Sequence, residues 1–294
     1  MMRPRAPLVL NFDDSVAARD FPDAVSIPLQ GWQELVRFGC RHGRLRQLAD
    51  ALAPLWPSDY GCVFTGSGDF HHLSYLLLGR MATKPAFELV ICDNHPDNMR
   101  YPFGIHCGSW VYWASRLPQV KHIHVLGICS ADIGLGHAWE NHWAPLVGKK
   151  LTYWHLNRAN TRWLDWLGPA GRGYGDADAL LTDFLAVFTG GDRSPAYLSI
   201  DKDVLSPRVV TTNWDQGIFE ERHLNQVIDA CHGRLIGADI TGEGSVYRYQ
   251  SRFKRWLSAI DGQQEATSDQ AAAWQQRQNA LNRRLAARIA TVWR

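Results

Sequence analysis

The sequence predicts an α/β protein: a single-domain, doubly wound parallel sheet flanked by helices. Three observations lead there. Short apolar runs of strand length alternate with segments of helical period. Several of these runs stop abruptly at acids and histidines, as strand ends do where a parallel sheet presents its ligand crevice. Finally, no internal repeat or linker-like stretch divides the 294 residues, a length within reach of one large domain.

In chain order, Leu8-Val-Leu-Asn-Phe12 reads as a buried strand closed by Asp13 and Asp14, which either cap the next turn or line the crevice. Helical patterns follow over Gly31–Gly39 and Arg44–Leu55, the second ended by Pro54 and Pro57. Cys62-Val-Phe-Thr65 is a strand that runs into Gly66-Ser-Gly-Asp-Phe-His-His72, and Leu73–Met81 is a helix. Leu89-Val-Ile-Cys92 is a strand that ends in Asp93-Asn-His-Pro-Asp97. A helix over Trp110–Leu117 and a strand over His122–Leu126 come next, then a loop-rich region, Gly127–Lys149, carrying Trp139, Glu140, His142 and Trp143. Lys150–His155 reads as a strand of alternating faces, and Ala177–Phe188 as a helix punctuated by Gly190-Gly191. Ala196–Ile200 is a strand ending in Asp201-Lys-Asp203; Glu220–His232 is a helix; Leu235–Ala238 is a strand ending in Asp239 and Glu243. From about residue 264 to 294 the pattern is a long amphipathic helix, with Trp274, Leu281, Leu285, Ile289 and Val292 on one stripe. Arg283, Arg284, Arg288 and Arg294 fall elsewhere and read as a solvated face.

Composition narrows the function classes. With 46% hydrophobic and 20% charged residues the chain is that of an ordinary soluble globular protein. A net charge of +2 gives no reason to expect nucleic acid or an anionic membrane as partner. Thirteen tryptophans supply a core, with some available as pocket walls. The six cysteines (Cys40, Cys62, Cys92, Cys107, Cys129, Cys231) show neither CxxC nor metal-finger spacing, which favours free thiols in a reducing, cytoplasmic compartment. Met1-Met-Arg-Pro-Arg-Ala-Pro7 lacks the apolar core of a signal peptide, and no run is long enough to span a membrane.

The chemistry lies at the strand ends. Leaving a strand, alternate residues can turn the same way, so Asp93-x-His95-x-Asp97 can aim two carboxylates and an imidazole into one crevice. That donor set suits Mn, Zn, Fe or Ni better than Ca or Mg. The plain alternative is a polar turn whose aspartates cap a helix. Adding Asp201, Asp203 and a histidine from His71-His72 gives more donors than one ion needs. Asp93 and Asp201 could bridge two ions, with His71 and Asp97 completing one site and His95 and Asp203 the other. Two ions ~3.5–4 Å apart can hold a bridging hydroxide as nucleophile.

Here the sequence resembles the arginase/agmatinase (ureohydrolase) family of the arginase–deacetylase fold. Asp93-Asn-His-Pro-Asp97 is similar to that family's Asp-Ala-His-x-Asp, and Ser199-Ile-Asp-Lys-Asp-Val-Leu-Ser-Pro207 to its Ser-x-Asp-x-Asp-x-x-Asp-Pro, with Ser206 replacing the last Asp. Gly66-Ser-Gly-Asp-Phe-His-His72 is similar to Gly-Gly-Asp-His-Ser with one insertion, so His71 or His72 is the ligand; His71, which completes Gly-x-x-His after Gly68, is the expected one. The resemblance implies an arginase-like three-layer α/β/α domain over residues 1–294 and two divalent ions, most often Mn, held by His71, Asp93, His95, Asp97, Asp201 and Asp203. It implies proton transfer by His106 and a substrate guanidinium held by Glu243, one position later than the family's Glu. The implied reaction is hydrolysis of a C–N bond in a guanidino or amidino group by the metal-bridging hydroxide, on a small substrate or on arginine within a peptide. A homo-oligomer is compatible with it. Asn98–Ile105 is shorter than the family's amino-acid-binding loop, so an arginine carboxylate is read differently or not at all. Two alternatives stand beside this: a zinc-dependent deacetylase-like amidohydrolase with His71-His72 as its tandem histidines, and a relic that binds without catalysis.

Overall fold

The computed structural model describes residues 5–21, 23–156, 161–260 and 267–293. The chain opens with β1 (Leu8–Asn11), β2 (Val25–Pro28), α1 (Gln33–Val36), β3 (Gly39–Cys40) and α2 (His42–Leu52). Then come β4 (Val63–Ser67), α3 (Leu73–Gly79), β5 (Phe87–Cys92), β6 (Ile105–His106), α4 (Trp110–Ser115) and β7 (Val120–Ile128). α5 (Ala144–Val147), β8 (Leu151–Leu156), α6 (Arg162–Asp165), β9 (Gly171–Tyr174) and α7 (Ala177–Gly190) continue the alternation. The chain ends with β10 (Ala196–Asp201), α8 (Glu221–Ala230), β11 (Leu235–Glu243), α9 (Arg252–Ile260) and α10 (Ser268–Val292).

Nine strands form one sheet in the order β2-β1-β4-β11-β10-β5-β7-β8-β9, with every pairing parallel. The doubly wound parallel sheet expected from the sequence is present, and all seven expected strands lie in it. The expectation missed β2 and β9, the two edges. Val25-Ser-Ile-Pro28 is mostly exposed, and Gly171-Arg-Gly-Tyr174 is rich in glycine, so neither carries the continuous apolar run of a strand buried on both faces.

Alternate residues of each central strand enter opposite cores. Leu89 and Ile91 join the layer of α2, α3 and α4, while Val90 and Cys92 join the layer of α7, α8 and α10. This makes three layers, α/β/α. It also corrects the expected alternation of β8, whose six residues are all buried because helices cover both faces. The helix expected over Gly31–Gly39 shortens to α1: Phe38 takes a positive φ of 66°, and Gly39 pairs with His106, where a Cβ would meet His106 Cβ at 2.6 Å. β11 runs on to Glu243, so Asp239 is mid-strand rather than at a strand end.

α10 buries Leu281, Leu285, Ile289 and Val292 on the expected stripe. Arg283, Arg284 and Arg288 face outward and pair with Asp20, Glu221 and Asp229; Arg294, like Met1–Pro4 of the N-terminal stretch, lies outside the described residues. Cys40, Cys62, Cys92 and Cys231 are buried thiols, and among the described residues no helix is long and apolar enough to cross a membrane. Because Leu285 is fully buried, Leu285→Ala is expected to cost ~2–5 kcal/mol, read as a lower urea midpoint at unchanged m.

Candidate metal centre

β10 lies between β11 and β5, with Ile200 opposite Cys92 and Asp201 opposite Thr241, so the acidic ends of the central strands emerge at one level. Both acidic ends use the same local device. Asp93 Oδ1 accepts the His95 N–H at 2.6 Å, and Asp201 Oδ1 accepts the Asp203 N–H at 3.0 Å. Such side-chain-to-backbone turns hold one carboxylate oxygen and leave the other free to face the crevice. β11 can pass this close only because Gly242, at φ 89°, has no Cβ; one would collide with Asp201 Oδ1.

The free oxygens converge. His71 Nδ1 lies 3.1 Å from Asp93 Oδ2, 3.0 Å from Asp97 Oδ2 and 3.4 Å from Asp201 Oδ2. On the other side, His95 Nδ1 lies 2.9 Å from Asp203 Oδ2 and 3.6 Å from Asp93 Oδ1. Two groups with metal-ligand geometry result, His71/Asp93/Asp97 and Asp93/His95/Asp203, and Asp93 belongs to both. Asp97 reaches the cluster from a left-handed backbone, φ 45°, and its Oδ2 accepts the Trp110 indole N–H at 2.7 Å.

The outer partners set the histidine tautomers. Ser199 Oγ donates to Asp239 Oδ1 at 2.7 Å, so its lone pair faces His71 Nε2 at 3.0 Å and takes the proton there. That leaves a lone pair on His71 Nδ1, aimed at carboxylate oxygens. Asp239, additionally held by Ser74 and Tyr197, therefore orients a ligand and does not contact the cluster itself. His95 Nε2 meets Asp215 Oδ1 at 2.7 Å, so with a proton there Nδ1, 2.9 Å from Asp203 Oδ2, is the nitrogen a cation would use. Conserving one ring N–H for an outer acceptor is how imidazole ligands are oriented.

Electrostatics agree with this fit. Burial, and then Asp93 beside them, push the carboxyls of Asp97 and Asp203 up to about 7. Burial and Asp203 raise Asp201 well above the carboxylate range. Burial opposes a charge on His71, yet with no cation between them the Asp93 and Asp97 carboxylates hold its pKa well above the ordinary value, so a proton on Nδ1 stands in for the positive charge the cluster calls for. His71 Nδ1 and Asp93 Oδ2 are both buried, make no well-aligned hydrogen bond and face one point, where a cation would displace that proton. Four aspartates with two acceptor imidazoles suit a pair of divalent cations in charge and in donor type.

The cluster forms the floor of a cavity of about 530 Å³ walled by Phe38, Met99, Tyr101, Phe103, Trp139 and Trp214, with Arg100, His106, Asp132, His137, Glu140 and Asp215 also lining it. His106 lies under Tyr101, ring centroids 4.0 Å apart. Glu243 is a correction. It is buried, does not line the cavity, and pairs with Lys202 Nζ while accepting from Asn282 Nδ2 at 2.6 Å. Lys202, buried between Asp201 and Asp203, requires that counter-charge, so Glu243 is not placed to hold a guanidinium. His72 is also absent from the lining; burial pushes it down to about 3. Asp13 pairs with Arg37, and Asp14 accepts from Asn11 and Gln30; neither lines the crevice.

Among the candidate overhanging residues, Trp139 lines the cavity. Trp143 stacks on Trp163, His142 on Tyr112, Tyr247 bonds Glu34 and Tyr249 bonds Asp69. Asp215, Trp214 and Arg100 were missed: they sit in irregular segments without periodic signal. Burial pushes His106 down to about 4, so it is neutral at pH 7. The stability tied to that depressed pKa is fully present above ~6.5 and is lost as pH falls through about 4. His106→Asn is therefore expected to flatten the fall in urea midpoint across that window.

No protein-family model matches the chain. An uncharacterized protein of Thermotoga maritima is 28% identical over 206 residues, 70% of this chain and 67% of that one. Among solved structures, proclavaminate amidino hydrolase from Streptomyces clavuligerus is similar with a TM-score of 0.56 at 12% identity, over 99% of this chain and 94% of that one. Agmatine ureohydrolase of Thermoplasma volcanium gives 0.53 at 11% identity, over 97% and 90%. Formimidoylglutamase from Bacillus subtilis gives 0.51 at 12% identity, over 99% and 87%. The sheet order, the three layers and these likenesses agree: the chain has the arginase/agmatinase, or ureohydrolase, fold.

Proposed function

We propose that the protein is a metal-dependent hydrolase that cleaves a C–N bond of a guanidino or amidino group. The observation that carries this is Asp93, whose two oxygens face two histidines in two overlapping ligand groups on the floor of one cavity. His71, Asp93 and Asp97 would hold one divalent ion, His95, Asp93 and Asp203 the other, with Asp201 beside both. Such ions supply a water acidic enough to act as nucleophile at neutral pH, and Mn fits the mixed carboxylate and imidazole donors.

The chain's own residues do the rest. Ser199 with Asp239, and Asp215, keep the imidazoles in the tautomer that binds a cation. His106, neutral and lining the cavity, would accept a proton at a ring nitrogen and return it to the departing amine. Asp132, Glu140 and Asp215 give the walls a negative potential that favours a cationic guanidinium, and Phe38, Tyr101 and Trp214 supply aromatic wall. The one-ion deacetylase-like alternative needs both tandem histidines at the cavity, and His72 is not there.

Two ions per chain are expected after Mn loading, falling to one or fewer in Asp203→Ala, with urea or ammonia release from guanidino compounds reduced more than ~100-fold. A loaded wild type that releases neither product from any guanidine or amidine removes the hydrolase. Asp239→Asn, which removes no ligand, is expected to weaken Mn binding ~10–100-fold in equilibrium dialysis.

A further inference from the structure

With Glu243 committed to Lys202 and Asn282, a cationic head group on the cavity floor needs another anionic partner. Outside the metal cluster three acids line the cavity: Asp132, Glu140 and Asp215. Glu140 Oε2 lies 3.1 Å from His137 Nδ1, and Asp132 Oδ2 accepts from Ser130 Oγ at 3.1 Å. Asp215 instead reaches the cluster itself. Its Oδ1 lies 2.7 Å from His95 Nε2, and its Oδ2 accepts from Asn94 Nδ2 at 2.9 Å.

The loop that carries Asp215 is pinned to the floor. Asn94 Nδ2 also donates to the Asp215 carbonyl at 3.0 Å, and the Gly217 N–H donates to the Asp203 carbonyl at 2.7 Å. Between them the Gln216 side-chain amide donates to the carbonyls of Leu205 and Val210, at 2.9 and 3.0 Å. Trp214 comes just before, and its indole stands beside the metal ligands. A Cβ on Gly68 would meet Trp214 Cδ1 at 3.1 Å and Asp201 Oδ2 at 3.3 Å, so both close on one spot that only a glycine leaves free. The ligand ring of His95 is a neighbour, with centroids 6.3 Å apart, and buried Phe38 lies nearly parallel at 6.4 Å and 22°. Such a loop presents an aromatic ring and a carboxylate together, already ordered before a ligand arrives.

We propose that Trp214 and Asp215 form the clamp for the cationic head group, in place of Glu243: the indole face takes the planar cation and Asp215 supplies the counter-charge. A guanidinium or amidinium is flat and positive, the combination that an aromatic face beside a carboxylate favours. The inference rests on the hydrolase reading for the fate of the head group, not for its binding. It adds a specificity to that reading. Hydrolysis turns the head into urea or an amide, which has much the same flat shape and no charge, so the clamp would grip substrate and let product go.

Titration calorimetry on the Mn-loaded chain compares butylguanidine with butylurea, two heads of one shape that differ by one charge. Wild type is expected to bind butylguanidine at least ~10-fold more tightly. In Trp214→Leu that ratio is expected to fall about 3- to 30-fold, the range of a cation–π contact, and in Trp214→Phe to be partly kept. Glu140→Gln is expected to lower it less than Asp215→Asn. Each ratio is taken within one protein, so a smaller folded fraction cancels; Mn content and melting temperature are read beside it. An unchanged ratio in Trp214→Leu overturns the proposal. So does a wild type that binds both probes equally or binds neither, or a Glu140→Gln that lowers the ratio more than Asp215→Asn. Urea release is followed in the same samples: a Trp214-dependent ratio without urea supports the clamp and removes the hydrolase, whereas urea with a ratio indifferent to Trp214 does the reverse.

Discussion

Four aspartates meet in one buried place, and the surroundings are arranged around that excess charge. Other buried acids among the described residues have a balance. Asp69 and Asp13 share Arg37, Glu243 has Lys202, and Asp239 accepts from three hydroxyls. Asp93, Asp97, Asp201 and Asp203 are different: among the described residues no arginine or lysine is ion-paired with them, and their basic partners are two imidazoles. A buried carboxylate without a counter-charge is costly, and the usual resolutions are a proton or a cation. Here the donors also have the types and directions of metal ligands, which is why the proposed function begins from charge rather than from likeness.

The same accounting explains the fate of Glu243. Spacing along the chain brought it to the end of β11, two residues beyond Thr241, the register partner of Asp201. It could not reveal that Lys202 turns inward with no exposure at all, between two of the cluster's aspartates. Asn282 from α10 completes that buried pair, so the C-terminal helix is joined to the loop that carries Asp201 and Asp203. An acid that looks available in sequence is already committed in space.

What was legible follows from burial. The seven central strands announce themselves because helices cover both faces and demand unbroken apolar runs; β2 and β9, half exposed at the edges, carry no such demand. Asp93, His95, Asp97, Asp201 and Asp203 were readable because acids directly after a buried strand have few structural reasons to be there. The choice between His71 and His72 came out through the tight turn at Gly68–Phe70, which turns His71 toward the cluster. Asp215, Trp214 and Arg100 had no local signature, since their roles depend on where irregular segments return across the cavity.

The strand order has one more consequence. β11 and β10, the last two strands made, lie between β4 and β5, which are made much earlier. His71 and Asp93 are therefore separated by strands that do not yet exist when both residues have left the ribosome. A nascent or truncated chain ending before residue 196 lacks the middle of its sheet, not its rim, and has no edge-complete smaller version of the fold to settle into. Whatever the centre binds, the chain can acquire it only late in synthesis, once the two strands have been inserted.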